Sequence, residues 1–462
     1  MLQTVRKATP HDKIPAQNPP DRLIPAEFGT SVAHLADAVH EEIKGDYPLI
    51  ARTFRRCFPS ALATVTEVLP DNTTFVATGD IPHMWLRDAA WQFRPYVSLA
   101  RDDKKLSRLI GGLIRRMAHY ITIDPYANSF SKGPDRYHYW PDDRPAPGPW
   151  IRERKWSIDS PSSFLQLSVD YFSATGEKEP FTAQVHDAIH LSLSTMRTEQ
   201  RHDTDSKYSF ERDDPEHPTD TLPFGGRGTR TNFTGMVWSG FRSSDDPCVF
   251  GYNVPQNMAV VVALGGVASL LRSVWGDDNL AEEALRLRRE IDFGIRTYGT
   301  VIHPEWGRIY AYETDGFGNH YCADDATPPS LLSIPYIGYH PVSDPLYQRT
   351  RAFVLSCDNP HYITGRCASG MGSSHPHNPA PARYIWPIGL IVQGMTSRNP
   401  AETRAIVETL VATTGGTGYM HEAFDADDPS KYIRGWCPWN NSAFGELVLK
   451  WRTEKMAAGQ IT

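Results

Sequence analysis

The chain has 462 residues, 40% of them hydrophobic and 22% charged, the balance of a folded globular protein with a sizeable core rather than a disordered or fibrous one. Its net charge of −7 and lack of a Lys/Arg block argue against a nucleic-acid partner, which needs clustered cations to displace counterions. The longest apolar stretch, Met258 to Leu271, is too short to span a bilayer and carries Gly265 and Gly266, so no membrane association is expected.

Residues 1–30 read as an extended proline-rich arm without the apolar core of a signal peptide. The expectation is a cytoplasmic protein, or a secreted one whose leader is absent from this chain. Apolar residues then recur at helical spacing from Ser31 to Cys57, through Val32, Leu35, Val39, Ile43 and Ile50. Helices follow over Asp88 to Ala100 and Leu106 to Ile121, the second with Leu106, Leu109, Ile110, Leu113, Met117 and Tyr120 on one stripe. After a Pro- and Asp-rich connection from Asp124 to Pro149, the pattern predicts helices at Ser162 to Ala174 and Pro180 to Glu199. Arg201 to Trp238 turns polar and rich in Gly, Pro and Thr, a long excursion on one face. Helical spacing resumes at Pro255 to Trp275 and Asn279 to Thr297. It continues at Ser330 to Ile337, Pro345 to Ser356, Arg383 to Thr396, Pro400 to Ala412 and Asn440 to Trp451.

The prediction is an all-α protein of about a dozen helices without sustained strand alternation. No composition break divides residues 31–455, so one catalytic domain is expected, and a monomer. Short turns alternating with long loops suit a toroid of helical hairpins with its function on loops at one end. The 6 cysteines form no Cys-x-x-Cys pair. His375 and His377 with Asp324 and Asp325 have the residue types of a metal site, but His-Pro-His is poorly spaced for one ion, and neither metal nor cofactor is expected.

Five segments pack carboxylate, aromatic and basic side chains between Gly or Pro: Thr78 to Asp88, Gly235 to Asp246, Tyr312 to Asn319, Ser369 to His375 and Gly418 to Phe424. Buried carboxylates are costly unless paired or used. Such clusters point to a polar pocket walled by rings, as a sugar requires, its hydroxyls on charged groups and its C–H face on an aromatic. Hydrolysis of a glycosidic bond takes two carboxyl groups, one to protonate the leaving oxygen and one to activate water or attack. The adjacent Asp245 and Asp246 repel, which can keep one protonated as a general acid must be, and Pro247 holds Asp246 out of helical geometry. Glu422, after the flexible Gly415 to Gly418, sits where a loop can present it to water. Arg87-Asp88 reads equally as an ion pair at a helix start or as a sugar-binding pair.

At these residues, and at Trp156 to Asp159, Asp324-Asp325, Pro328 to Tyr339 and Tyr384 to Pro387, the chain resembles glycoside hydrolase family 125, in order, from about Asp46 to Trp451. The resemblance implies an (α/α)6 barrel and metal-independent, inverting release of terminal α-1,6-linked mannose from a glycan. It implies an aspartate of the Ser-Asp-Asp motif as general acid, Asp246 ahead of its neighbour Asp245, and Glu422 as general base. It also implies Trp85, Arg87, Asp88, Asp159, Arg242, Glu313, His375, Trp436 and Trp439 as sugar-binding positions. Three departures stand out: Ser243 where the family has proline, Ser160-Pro161-Ser162 where it has Ser-Leu-Cys, and Pro438 between Trp436 and Trp439. Competing expectations are another helical-barrel carbohydrate enzyme, such as a glucoamylase-like hydrolase or an inverting phosphorylase, and a noncatalytic glycan-binding protein.

Overall fold

A computed structural model describes residues 23–134, 140–214, 217–375, 383–457 and 459. Most of the proline-rich arm and His377 therefore lie outside the described residues. Among these, twelve α-helices have eight residues or more: α1 Ser31–Ile43, α2 Pro48–Cys57, α3 Leu86–Phe93, α4 Lys104–Ile123, α5 Asp159–Thr175, α6 Ala183–Glu199, α7 Val254–Trp275, α8 Asp278–Tyr298, α9 Pro345–Val354, α10 Pro387–Met395, α11 Pro400–Ala412 and α12 Pro438–Ala457.

The elements differ from their sequence expectations where proline or a side-chain cap intervenes. The Ser31 to Cys57 stretch breaks at 44–47 because Pro48 cannot donate into a continuing helix and instead opens α2. Pro95 likewise ends α3, and Arg94–Arg101 continues as 3-10 helix. Tyr384–Ile385 is a strand, and α10 starts only at Pro387. Ser330 to Ile337 is not a helix but a chain of turns. There the Asp324 carboxylate accepts from the Leu331 and Leu332 amides at 2.8 and 2.9 Å, and Ser330 and Ser333 bond each other. Pro335 then prevents propagation.

Helix packing follows a regular order. α3 lies against α5, α5 against α7, and α12 against both α3 and α10, while α8 backs α7, α6 backs α4, and α11 backs α10 and α12. The turns of 329–338 flank α7, since Tyr336, Ile337 and Gly338 line a cavity of about 330 Å³ together with Trp91, Ser163, Asp170 and Val262. α7 is long and apolar enough to cross a membrane by length and composition, yet it is an interior helix here, with Met258, Val261, Leu264 and Leu271 buried between α5 and α8.

Three small antiparallel sheets sit at the helix N-termini. They join Met84–Trp85, Ser129–Phe130 and Ile151–Glu153; Tyr252–Asn253, Glu313–Thr314 and His320–Tyr321; and Tyr384–Ile385, Ala423–Asp425 and Tyr432–Ile433. Their strands are two or three residues long, too short for a period-2 signal in sequence. Each feeds a strand directly into a helix start, at α3, α7 and α10, and so brings distant loops to one end of the helical array.

Candidate active site

At that end, α3 begins with Arg87 and Asp88 and α5 with Asp159. The Arg87 guanidinium, buried, donates to Asp159 Oδ2 at 3.1 Å and lies 3.3 Å from Asp88 Oδ2 and 3.4 Å from Asp245 Oδ1. Its face is turned to the Trp439 ring, 5.9 Å from the centroid. Asp159 has no exposed surface, and its other oxygen accepts from Ser157 at 2.6 Å. It therefore holds Arg87 from within the interior.

Glu313 is placed in a similar way. It too is fully buried, with Oε1 on Arg242 Nε at 2.6 Å and Oε2 on the amides of Val249 and Phe250 at 2.8 and 3.0 Å. These bonds fix Arg242 and the loop after the paired aspartates. Arg242 keeps Nη2 buried without a protein acceptor, as do the indole Nε1 groups of Trp85, Trp386 and Trp439. Buried donors left in this state are expensive, and a bound hydroxyl removes the cost.

The Ser-Asp-Asp turn separates its two carboxyl groups. Asp245 has φ +67°, a left-handed conformation unusual for a non-glycine residue, so neighbouring side chains point to different partners. Asp245 Oδ1 accepts from Asn128 at 3.2 Å and Arg87 at 3.4 Å. Asp246 instead accepts from Ser374 Oγ at 2.7 Å and contacts His375 Nδ1 at 2.9 Å. Where the family has proline, Ser243 is buried and accepts from Gln256 Nε2 at 3.2 Å, so a hydrogen bond secures the turn in place of a ring.

These surroundings act oppositely on the two acids. Burial pushes the Asp245 carboxyl above its ordinary range, with Arg87 pulling against it and Glu153 adding to it. For Asp246 burial acts in the same sense, but the hydrogen bond and charge of His375 and the Ser374 hydroxyl overcome it and hold the group below its ordinary range. Conversely, against desolvation that pulls it down, Asp246 raises the half-buried His375 to about 9. The ion pair is thus fully formed below the ordinary histidine range and is lost as pH rises through about 9.

Glu422 is held differently. Its side chain is about 21% exposed, with Arg434 Nε 3.1 Å from Oε2. Arg434, at φ +56°, also pairs with Asp80. The Glu422 amide donates to Ile433 at 3.2 Å, and His421 stacks on Tyr432 at 3.8 Å, which ties this segment to the third sheet. His375 feels the charges of both Asp246 and Glu422, and Asp245 feels His375, so the three carboxyl groups lie within electrostatic reach of this one imidazole. Trp436 and Trp439 are nearly buried, either side of Pro438, which opens α12.

Sequence reasoning assigned no role to Trp386, Ser374, Asn128, Lys155 or Arg434. Trp386 and Ser374 lie inside the segments singled out, while Asn128 and Lys155 reveal themselves through bonds to Asp245 far along the chain and Arg434 through its pairing with Glu422 and Asp80. Among the described residues no cluster of three or more His, Cys, Asp or Glu side chains could hold a metal ion.

Asp88 offers a test of the electrostatics. Burial pushes its carboxyl up to about 6, with Arg87 opposing and Asp245 adding to the rise. The folded protein therefore takes up a proton near pH 6 that the unfolded chain takes up only nearer pH 4, so the ionised form costs stability at neutral pH and the cost vanishes as pH falls. Asp88→Asn is expected to raise stability at pH 7 by about 1–3 kcal/mol and to leave it unchanged near pH 4, read by denaturant melts at both pH values.

Carboxylates set beside buried indole and guanidinium donors at the N-termini of packed helices suit a carbohydrate-cleaving site. The chain belongs to the metal-independent alpha-mannosidase family GH125, whose model matches residues 47–449. It is 41% identical to a *Streptococcus pneumoniae* metal-independent alpha mannosidase solved as a non-productive complex with alpha-1,6-mannobiose, with a TM-score of 0.88 over 93% of this chain and 99% of that one. It is 35% identical to the meiotically up-regulated gene 157 protein of *Schizosaccharomyces pombe*, over 91% of this chain and 85% of the relative. A GH78 rhamnosidase of *Bacillus* sp. GL1 shares the fold alone, at 11% identity and a TM-score of 0.51 over 87% of this chain and 35% of that one.

Proposed function

We propose that this glycosidase releases terminal α-1,6-linked mannose from a mannose-containing oligosaccharide by an inverting mechanism, with Asp245 as general acid and Glu422 as general base. We further propose that its helical hairpins close as an (α/α)6 toroid, the turns of 329–338 standing where a sixth inner helix would complete the ring. Linkage and substrate rest on the 41% identity to the chain solved with alpha-1,6-mannobiose.

The observation that carries the assignment is the contrast between the carboxyl groups. Asp245, beside Arg87 and Asn128, is pushed toward its protonated form, whereas Glu422, similarly exposed, is paired with Arg434. Asp246, the residue preferred from the motif, has both oxygens engaged and is held ionised by His375, which suits orientation better than proton donation. In the reaction Glu422 takes a proton from water as its oxygen attacks C1. The bond from C1 to the leaving oxygen breaks, and that oxygen takes the proton of Asp245. One β-mannose and one shortened glycan leave, and proton exchange with solvent resets both carboxyl groups.

Proton NMR of α-1,6-mannobiose hydrolysis should show β-mannose first, with α-mannose growing in only by mutarotation. Initial release of α-mannose would exclude inversion. A phosphorylase is disfavoured because it needs no catalytic base, the role this reading gives to Glu422.

A further inference from the structure

Beneath the Ser-Asp-Asp turn lies a buried cluster of five charges that the reaction does not use directly. Arg212 clamps Asp143 at 2.7 and 2.9 Å and reaches Glu153 at 2.7 Å and Asp220 at 2.9 Å. Lys155 Nζ lies 2.6 Å from Asp220 and 3.5 Å from Glu153. All five side chains are buried. Two cations against three carboxylates in the interior are not a cheap way to stabilise a fold, because a well-packed apolar replacement of a buried ionic group is often more stable.

The cluster meets the site at one residue. Lys155 donates to the backbone carbonyl of Asp245 at 3.0 Å, and Asn128 Nδ2 bridges Glu153 Oε2 at 3.3 Å to Asp245 Oδ1 at 3.2 Å. Asp245 is thus gripped at carbonyl and carboxyl by two arms of the same cluster, in a left-handed conformation that a free aspartate would leave.

We infer that Lys155 is a positioning residue for the general acid: braced by Asp220 and Glu153, it fixes the left-handed turn that aims the Asp245 carboxyl at the leaving oxygen. The inference rests on the proposed role of Asp245. It also gives the polar excursion of residues 201–238 a purpose, since that stretch supplies Arg212 and Asp220.

Two substrates separate a positioning role from a structural one. α-1,6-Mannobiose needs its leaving oxygen protonated, whereas 2,4-dinitrophenyl α-mannoside departs without an acid. Lys155→Met is expected to lower kcat on mannobiose on the order of 100-fold with KM little changed, the size of effect a misplaced catalytic group produces. On the dinitrophenyl substrate the loss should stay below about tenfold, and Lys155→Arg should recover part of the mannobiose rate. Equal losses on both substrates, or no loss on either, would overturn the inference. Should Lys155→Met fail to fold by far-ultraviolet circular dichroism, Asp220→Asn, which weakens the brace on Lys155 and keeps an oxygen for Arg212, must show the same split. Failure of the mannosidase reading is distinct, because the wild-type enzyme would then release mannose from neither substrate.

Discussion

Replacing Glu422 by glutamine is expected to lower kcat on α-1,6-mannobiose by roughly 10²–10⁴-fold, with the melting temperature almost unchanged. Glutamine keeps the shape of the side chain and an oxygen for Arg434, but it cannot take a proton from water. Arg434 retains Asp80 as counterion, so the variant does not leave an uncompensated buried charge. The loss should be as large on 2,4-dinitrophenyl α-mannoside as on mannobiose, since water must be activated whatever the leaving group. A Glu422→Gln enzyme with near wild-type kcat on either substrate would remove Glu422 from the role of base.

What the sequence revealed about this site divides along physical lines. Strongly periodic helices were readable within a few residues, α4 and α8 among them, because one apolar stripe buries the whole element. The paired aspartates and Glu422 stood out because carboxylates beside Gly, Pro and aromatic residues have few structural uses. Asp159 and Glu313 looked the same in sequence, but their oxygens are spent on arginines and amides in the interior, and local pattern carries no information about burial. Lys155 and Asn128 were invisible for a related reason. Their roles lie in bonds to Asp245 across 90 and 117 residues, and even the Trp156 to Asp159 segment beside Lys155 does not reveal that bond. The turns of 330–337 were misread because the cap that stops the helix, Asp324, lies six residues upstream of Ser330.

The choice between the two aspartates is the sharper test, because the proposed roles predict different kinetic signatures and not merely different sizes of loss. In Asp245→Asn the leaving oxygen has no proton donor, so kcat on α-1,6-mannobiose should fall by roughly 10²–10⁴-fold while 2,4-dinitrophenyl α-mannoside is cleaved nearly as before. Its asparagine can still accept from Asn128 and Arg87, so the turn should survive. Asp246→Asn removes the partner that raises His375 to about 9, and the imidazole then returns toward neutrality at working pH. That change disturbs the Ser374 and His375 side of the pocket whatever the leaving group, so both substrates should slow together. The histidine titration should also move below 9, which carbon-detected NMR of His375 can follow. The opposite pattern, with mannobiose alone slowed in Asp246→Asn and both substrates slowed together in Asp245→Asn, would restore Asp246 as the acid. Lys155 would then brace the wrong residue to be read through acid catalysis, so the two experiments must agree.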